Sequence, residues 1–159
     1  MTHDPGTFTI DAMLCDSAVV AEGKLYVQGA GWNMLSTPQF PFVQSRIGLA
    51  VVIGVPYTET NREHRLHVRL ESEDGAQLPL GPPVADPDQP GGVQRATGVG
   101  AQFNVGRPAV LQPGDRQNLP FAINLDQLGF ESAGAYSFVL SIDGDEVNRL
   151  AFRVLANRS

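Results

Sequence analysis

Apolar and polar residues alternate along several short runs of this chain. The run from His64 to Glu73 shows the pattern most clearly, with an apolar side chain at every second position from Leu66 to Leu70 and mostly charged residues between them. Residues two apart in an extended strand share a face, so one face of this run belongs to the core and the other to water. A β-strand is therefore predicted here, followed by a turn at Asp74-Gly75.

The end of the chain predicts a β-hairpin. Alternation runs from Tyr136 to Ile142 and returns between Val147 and Val154, and the intervening Asp143 and Gly144 are residues that tight turns favour. The position of Tyr136 at the start of the first strand is typical of a tyrosine corner, in which the hydroxyl bonds to backbone just upstream. A core tyrosine without that bond is the alternative.

Other runs extend the same pattern over the chain. Residues 7–14 and 119–125 alternate, whereas Arg46 to Val55 is apolar on both faces and predicts a central, doubly covered strand. About eight strands, separated by turns every 8–12 residues, are typical of a two-sheet fold. We therefore predict an all-β protein with an Ig-like antiparallel β-sandwich.

One segment interrupts the pattern. Residues 76–100 contain LPLGPPVADPDQPGG, whose prolines and glycines exclude a helix or a central strand. At about 25 residues this segment is longer than ordinary connections, which favours a functional loop or an insert. The whole chain, residues 1–159, is predicted to form a single domain that carries 76–100 as a long loop or insert.

The charge balance bears on the partners. The chain has 17 Asp and Glu against 11 Lys and Arg, which gives a formal net charge of −6. Such a surface repels phosphate backbones and anionic lipid headgroups, so neither nucleic acid nor a membrane is predicted as a partner. Cys15 is the one cysteine, and the first residues lack the basic and apolar regions of a signal peptide. Both observations favour the cytoplasm.

The residues that could support catalysis are scattered. His64 and His67 are three apart on a predicted strand, so they point to opposite faces and cannot act together. No G-x-S-x-G motif is present, and Gly98-Val99-Gly100 is a bare G-x-G fragment without a following helix to bind an anion. No catalytic residue and no cofactor are predicted, and the protein is expected not to be an enzyme.

Metal binding has little support in the sequence. One cysteine with scattered histidines does not make a zinc site. Calcium would need oxygen ligands, and the two acidic clusters are Asp86-Pro87-Asp88 and Asp143-Gly144-Asp145-Glu146. The first is typical of a solvated loop and the second of a hairpin turn, so no metal site is predicted.

The candidate binding residues are two aromatic side chains and the long loop. Trp32 lies among small residues, where it is either an exposed anchor for a partner or a pin covered by the opposite sheet. Tyr57 follows Pro56 in a polar connection with the same ambiguity. Loops on a rigid β scaffold often carry recognition. The loop candidates are Val84, Asp86, Asp88 and Val93.

Three segments together resemble a known family. They are DSAVVAEGKLYVQGAGW from Asp16, VPYTETNREHRLHVRLESEDG from Val55, and GAYSFVLSIDGDEVNRLAFRV from Gly134. They resemble a bacterial family, frequent in actinobacteria, of small all-β proteins of unknown function. The resemblance covers nearly the whole chain, is weakest over Pro79–Gly92, and implies a compact Ig-like sandwich without established site residues.

Two classes of function remain in view. The first is a non-enzymatic binding or assembly module of the bacterial cytoplasm, acting on a protein partner or by self-association through an exposed strand edge. The second is a small-ligand or carbohydrate-binding sandwich, which requires Trp32 and Tyr57 to face one ligand. A hydrolase with a carboxylate or metal site is a third and weaker hypothesis.

Overall fold

The protein is built almost entirely of β-strands, which confirms the predicted all-β class. The computed structural model describes residues 6–157, apart from the side chains of Pro82 and Pro83. None of these residues forms a helix with the length and hydrophobicity needed to cross a bilayer. The strands are β1 (Thr9–Cys15), β2 (Ser17–Ala21), β3 (Lys24–Gln28), β4 (Met34–Thr37), β5 (Phe42–Pro56), β6 (Glu63–Ser72), β7 (Gln77–Leu78), β8 (Leu80–Ala85), β9 (Val93–Ala96), β10 (Val99–Asn104), β11 (Arg116–Phe130), β12 (Gly134–Ile142) and β13 (Asp145–Ala156), with a 3-10 turn at Tyr57–Glu59.

Two larger sheets make up the body of the protein. The first has three strands in the order β1-β5-β11, so β5 is central, in agreement with its apolar character on both faces. The second has the order β10-β6-β12-β13-β4, and β7 adds to β6. The inner faces of both sheets contribute to one hydrophobic core, which includes Leu49, Val51, Leu66, Val68 and Phe138.

The strand number and one pairing differ from the prediction. The described residues form thirteen strands rather than about eight, because proline and glycine divide the connections into several two- to six-residue strands. All pairings are antiparallel except that of β13 with β4, which is parallel. Short peripheral strands carry too few residues to give a clear period in the sequence.

The clearest sequence pattern corresponds to a central strand of the second sheet. In β6, Leu66, Val68 and Leu70 are buried in the core while Arg65 is exposed on the opposite face. The strand pairs with β12 on one side and with β10 on the other. The predicted alternation of core and solvent is therefore confirmed in β6.

The last two strands form a hairpin with a tight turn. Asp143 and Gly144 occupy the turn with φ values of 53° and 90°. Positive φ at both central residues is what a type I′ turn requires, and glycine adopts it without steric cost. At the opposite end of β12, the Tyr136 hydroxyl donates a 2.5 Å hydrogen bond to the carbonyl of Ser132, as in a tyrosine corner.

A small hairpin covers the outer face of the first sheet. Strands β2 and β3 pair with each other, and Ala18 packs with Cys15 and Ala50 in a second, smaller cluster. The side chain of Asn124 on β11 accepts a 3.0 Å bond from the Ala18 N–H and donates a 2.9 Å bond to the Ala18 carbonyl. One amide side chain thereby supplies both main-chain hydrogen bonds of that residue.

The segment 76–100 is not the long irregular loop that its composition suggests. It holds β7, a β8–β9 hairpin and the first residues of β10. Prolines and glycines exclude a helix or a central strand, but they permit short strands at the periphery. Leu80 anchors the hairpin in the core, and β8 packs beside β11.

Candidate functional site

The two large sheets are joined on one side and separated on the other. Near β1, the Asn148 side chain on β13 donates a 2.7 Å hydrogen bond to the Ile10 carbonyl and bridges the sheets. On the opposite side, β10 and β11 are both edge strands: within residues 6–157, β10 pairs only with β6 and β11 only with β5. We call this region, together with the β8–β9 hairpin, the open side.

An apolar crevice runs between the two edges of the open side. It has a volume of about 280 Å³ and reaches inward to Leu66 and Val68 of the core. Val99 and Ala101 of β10 form one wall, and Ile123 of β11 contributes to the other. The crevice is therefore an opening into the hydrophobic interior rather than a polar cleft suited to catalysis.

The β8–β9 hairpin, which packs beside β11 and directly precedes β10 in the chain, exposes apolar side chains. Val84 is 54% exposed and Val93 is 71% exposed. Val84 pairs with Gln94 and Val93 pairs with Ala85, so the two valines lie on opposite faces of the hairpin. Both faces of the hairpin therefore present apolar surface to water.

Asp86 and Asp88, the two aspartates among the candidate binding residues, make hydrogen bonds within the hairpin loop. Asp86 Oδ1 accepts a 2.9 Å hydrogen bond from the Asp88 N–H, which is the arrangement of an Asx turn. The Asp86 N–H donates to the Gly92 carbonyl at 3.0 Å and closes the loop. Within the part of the chain that the structure describes, no group of three or more His, Cys, Asp or Glu residues is arranged to hold a metal ion.

Trp32 is fixed by the protein itself. Its indole N–H donates a 2.9 Å hydrogen bond to the Gly29 carbonyl, and its partly buried ring packs against the main core. The following residue, Asn33, accepts a hydrogen bond from the Arg153 N–H near the end of β13. Trp32 therefore lies at the end of the second sheet where β13 finishes.

Tyr57 lies at the other end of the same sheet. The Arg107 guanidinium stacks 4.0 Å above its ring and donates a 3.0 Å bond to its carbonyl. The 3-10 turn that contains Tyr57 contacts His64 at the start of β6, next to the turn between β12 and β13. The structure does not bring Trp32 and Tyr57 together, so they do not form the shared ligand site that the carbohydrate hypothesis requires.

His64 is buried among partners that hold its ring in place. Its Nδ1 lies 2.6 Å from Asp143 Oδ2, and its Nε2 lies 2.8 Å from the Glu59 carbonyl oxygen. The rings of Phe8 and Phe103 pack against it with centroid distances of 4.8 and 5.4 Å. Both ring nitrogens already have structural partners, so this histidine ties three segments together.

A second cleft lies beside this cluster. It has a volume of about 520 Å³ and is lined in part by Glu59, Arg62 and Asp143. The charged groups there pair within the protein: Arg62 lies 3.5 Å from Glu59, and Asp143 contacts His64. The cleft is therefore a worse candidate for a partner than the open side, whose strand edges are unpaired.

The outer face of β6 places two basic side chains across the edge strand. A Cβ atom added to Gly100 would lie 2.9 Å from Nη2 of Arg65, and one added to Gly98 would collide with the ring of His67. The absence of side chains at these glycines lets Arg65 and His67 extend over β10. His67 is thus on the opposite face of β6 from buried His64, as predicted.

Sequence reasoning singled out the segment 76–100 as a loop, and it predicted neither its hairpin, nor the crevice, nor the position of Arg65. Val84, Asp86, Asp88 and Val93 all lie on one hairpin of the open side. The sequence signal for the position of Arg65 is the pair of glycines at alternate positions, 98 and 100. From the sequence alone these glycines are only a bare G-x-G fragment. In an edge strand, such glycines indicate the close approach of another group.

Comparison with known proteins shows the family of this chain. Among solved structures, it is similar to the Pseudomonas fluorescens alkylpurine DNA glycosylase AlkC bound to DNA containing an abasic site analog, with 9% identity and a TM-score of 0.41. That likeness covers 94% of this chain but only 30% of the glycosylase chain. No curated protein matches the sequence. The profile of a family of unknown function, DUF6941, matches residues 10–155, so the chain belongs to that family.

Proposed function

We propose that this protein is a non-enzymatic binding or assembly module of the bacterial cytoplasm, and that its open side holds a protein partner. The observation that carries the proposal is the exposure of Val84 and Val93 on a hairpin that packs beside β11, the strand that contributes one wall of the apolar crevice. Covering such side chains is favourable by about 25 cal/mol for each Å² of apolar surface removed from water.

The position of these valines supports recognition. The hairpin is attached to the body through buried Leu80 and through the contact of β8 with β11. A projecting hairpin on a rigid β scaffold is a common place for recognition residues. An apolar patch next to unpaired strand edges is likewise typical of an interaction site.

The scaffold itself is proposed to be an Ig-like sandwich. Two sheets share one core, the last two strands form a hairpin, and the Tyr136 hydroxyl makes the bond of a tyrosine corner. The peripheral hairpins β2–β3 and β8–β9 are additions to that arrangement.

Site-specific photocrosslinking tests the proposal. The photoreactive amino acid benzoylphenylalanine is placed at position 93 in the full chain, in cells of the source organism, and at position 110 as the matched control. Val110 is 86% exposed in the connection before β11, outside the hairpin. We expect a discrete adduct from position 93 and none from position 110.

The mass of the adduct then identifies the type of assembly. A product of twice the chain mass indicates self-association, and any other discrete mass indicates a different protein. Replacing Ala85, which pairs with Val93 and shares its face of the hairpin, by Asp is expected to remove the adduct, because a charge there must be desolvated when a partner covers that face. Adducts of equal yield at 93 and 110, or none at either position in folded protein, would contradict the proposal.

A further inference from the structure

Strand β10 is one of the two edge strands of the second sheet, with β4 at the other edge. Six residues long, β10 extends for about 20 Å and, in the described part of the chain, pairs with β6 alone. Its outward N–H and C=O groups are a template for one more strand. Across the crevice, β11 is a poorer template because Pro120 lacks an N–H group.

A strand added to β10 would experience two different environments. Val99 and Ala101 lie opposite Val68 and Leu66, so their side of the sheet faces the apolar crevice. Gly100 lies opposite His67, on the outer side of the sheet. Because successive side chains in a strand alternate, an added segment would place every second residue in the crevice and the others on the outer face.

The outer face is basic at this edge. Arg65 extends over Gly100, and its guanidinium has no ion-pair partner among residues 6–157. The other arginines near the middle of this face are neutralised: Arg69 pairs with Glu71, and Arg149 pairs with Glu71 and Glu146. An acidic side chain on the added strand would therefore meet an unpaired positive charge at Arg65.

We infer that the open side binds an extended protein segment in which apolar and acidic residues alternate, and that the segment pairs with β10 as an additional strand. This inference rests on the proposed function, for which it specifies the partner. Main-chain hydrogen bonds provide affinity, the crevice selects apolar side chains, and Arg65 selects carboxylates.

A pair of synthetic peptides tests the inference on the full chain. The probes are two capped nine-residue peptides, one with alternating Val and Asp and one with alternating Val and Lys. Each is titrated into ¹⁵N-labelled protein while the amide signals are followed by NMR. We expect the Asp peptide to shift the signals of residues 98–104 and to bind about threefold to fivefold more tightly than the Lys peptide.

Charge reversal supplies the matched control. Arg65→Glu is expected to reverse the preference between the two peptides. Arg153→Glu makes the same change on the exposed part of β13, away from the β10 edge, and is expected to leave the preference as in the unmodified protein. A circular dichroism melt of each variant shows that the fold is retained. Ala101→Phe, which fills the crevice wall, is expected to weaken both peptides.

Several outcomes overturn the inference. They are equal affinity for the two peptides, no binding of either at about 1 mM, unchanged preference in Arg65→Glu, and shifted signals away from β10. If the position 93 crosslink forms while the peptides give one of these results, the open side binds a partner of different chemistry. If the crosslink also fails, the proposed function fails with the inference.

Discussion

The imidazole of His64 and the carboxylate of Asp143 lie 2.6 Å apart and join the start of β6 to the turn between β12 and β13. The other ring nitrogen lies 2.8 Å from the Glu59 carbonyl, which can only accept a hydrogen bond. An ionised carboxylate also only accepts, so each ring nitrogen of His64 faces a hydrogen-bond acceptor. These two contacts hold the ring in a site where the histidine is 4% exposed.

Replacing Asp143 by Asn should destabilise the protein. Asparagine tolerates the positive φ of this turn position, so the substitution removes the charge and keeps the turn. We expect a loss of about 1–2 kcal/mol in the free energy of unfolding, measured by urea denaturation, because the buried His64 ring loses its carboxylate partner. Asp145→Asn on the exposed side of the same turn is the control, and equal losses in both variants would exclude a special role for the His64 contact.

The same pair predicts a dependence of stability on pH. Burial alone would raise the pKa of Asp143, but hydrogen bonds from His64 and the Arg65 N–H, with the charges of His64 and Arg62, lower it overall. A lowered folded-state pKa stabilises the protein above the unfolded value of about 3.9 and ceases to do so as the pH falls through the folded-state pKa.

The measurement is the difference in unfolding free energy between the unmodified protein and Asp143→Asn as a function of pH. We expect this difference to shrink as the pH falls below about 4, where the Asp143 carboxylate becomes protonated in the unfolded and then in the folded chain. A difference that stays constant down to the acid denaturation of both proteins would show that the carboxylate is not stabilised in the folded state.

Tyr136→Phe isolates the bond of the tyrosine corner. The ring packs edge-to-face on Phe130 at 4.9 Å, and phenylalanine retains that contact. The substitution removes the hydroxyl and leaves the Ser132 carbonyl without this donor. We expect a loss of about 1–2 kcal/mol by urea denaturation. Tyr26→Phe, at an exposed position of β3, is expected to change the stability by less than about 0.5 kcal/mol.

The absence of a side chain at Gly48 leaves room for the side chain of Cys15. A Cβ atom at Gly48 would lie 2.8 Å from the Cys15 sulfur, so Gly48→Ala should cost about 1–3 kcal/mol through overpacking. Burial and the nearby charge of Asp16 raise the pKa of the Cys15 thiol, which makes it slow to react in the folded protein. Labelling with a thiol reagent should therefore be slow in the unmodified protein and faster in Gly48→Ala.

The control for this prediction is Gly129→Ala. An added Cβ there has no neighbour within 4 Å, so we expect no change in labelling rate. Labelling at the same rate in both variants would show that a side chain at Gly48 does not disturb the packing around Cys15.

Local patterns predict the strands of this protein better than its surface. The period of Leu66, Val68 and Leu70 identifies β6 because burial on one face leaves a regular mark in the sequence. Nothing comparable marks an edge strand: whether β10 has one neighbour or two depends on pairings between distant parts of the chain. The crevice exists only because β10 and β11 are both edges, so no local pattern could reveal it.

The candidate residues divide in the same way. Val84 and Val93 were selected as binding candidates because they lie in one short segment of the sequence. That selection did not require the fold of the segment. Trp32 and Tyr57 were grouped by chemistry alone, and the fold separates them to opposite ends of one sheet. Sequence analysis placed Arg65 only on the polar side of an alternating strand, because its reach depends on the missing side chain of Gly100 in the neighbouring strand β10.

The two hydrogen bonds between Asn124 and Ala18 connect residues 106 positions apart. During synthesis, the β2–β3 hairpin therefore leaves the ribosome long before the side chain that fixes it against the first sheet. Contacts of such long range form late, because the intervening chain must first be ordered. The main-chain groups of Ala18 consequently lack their native side-chain partner until most of the polypeptide has been made.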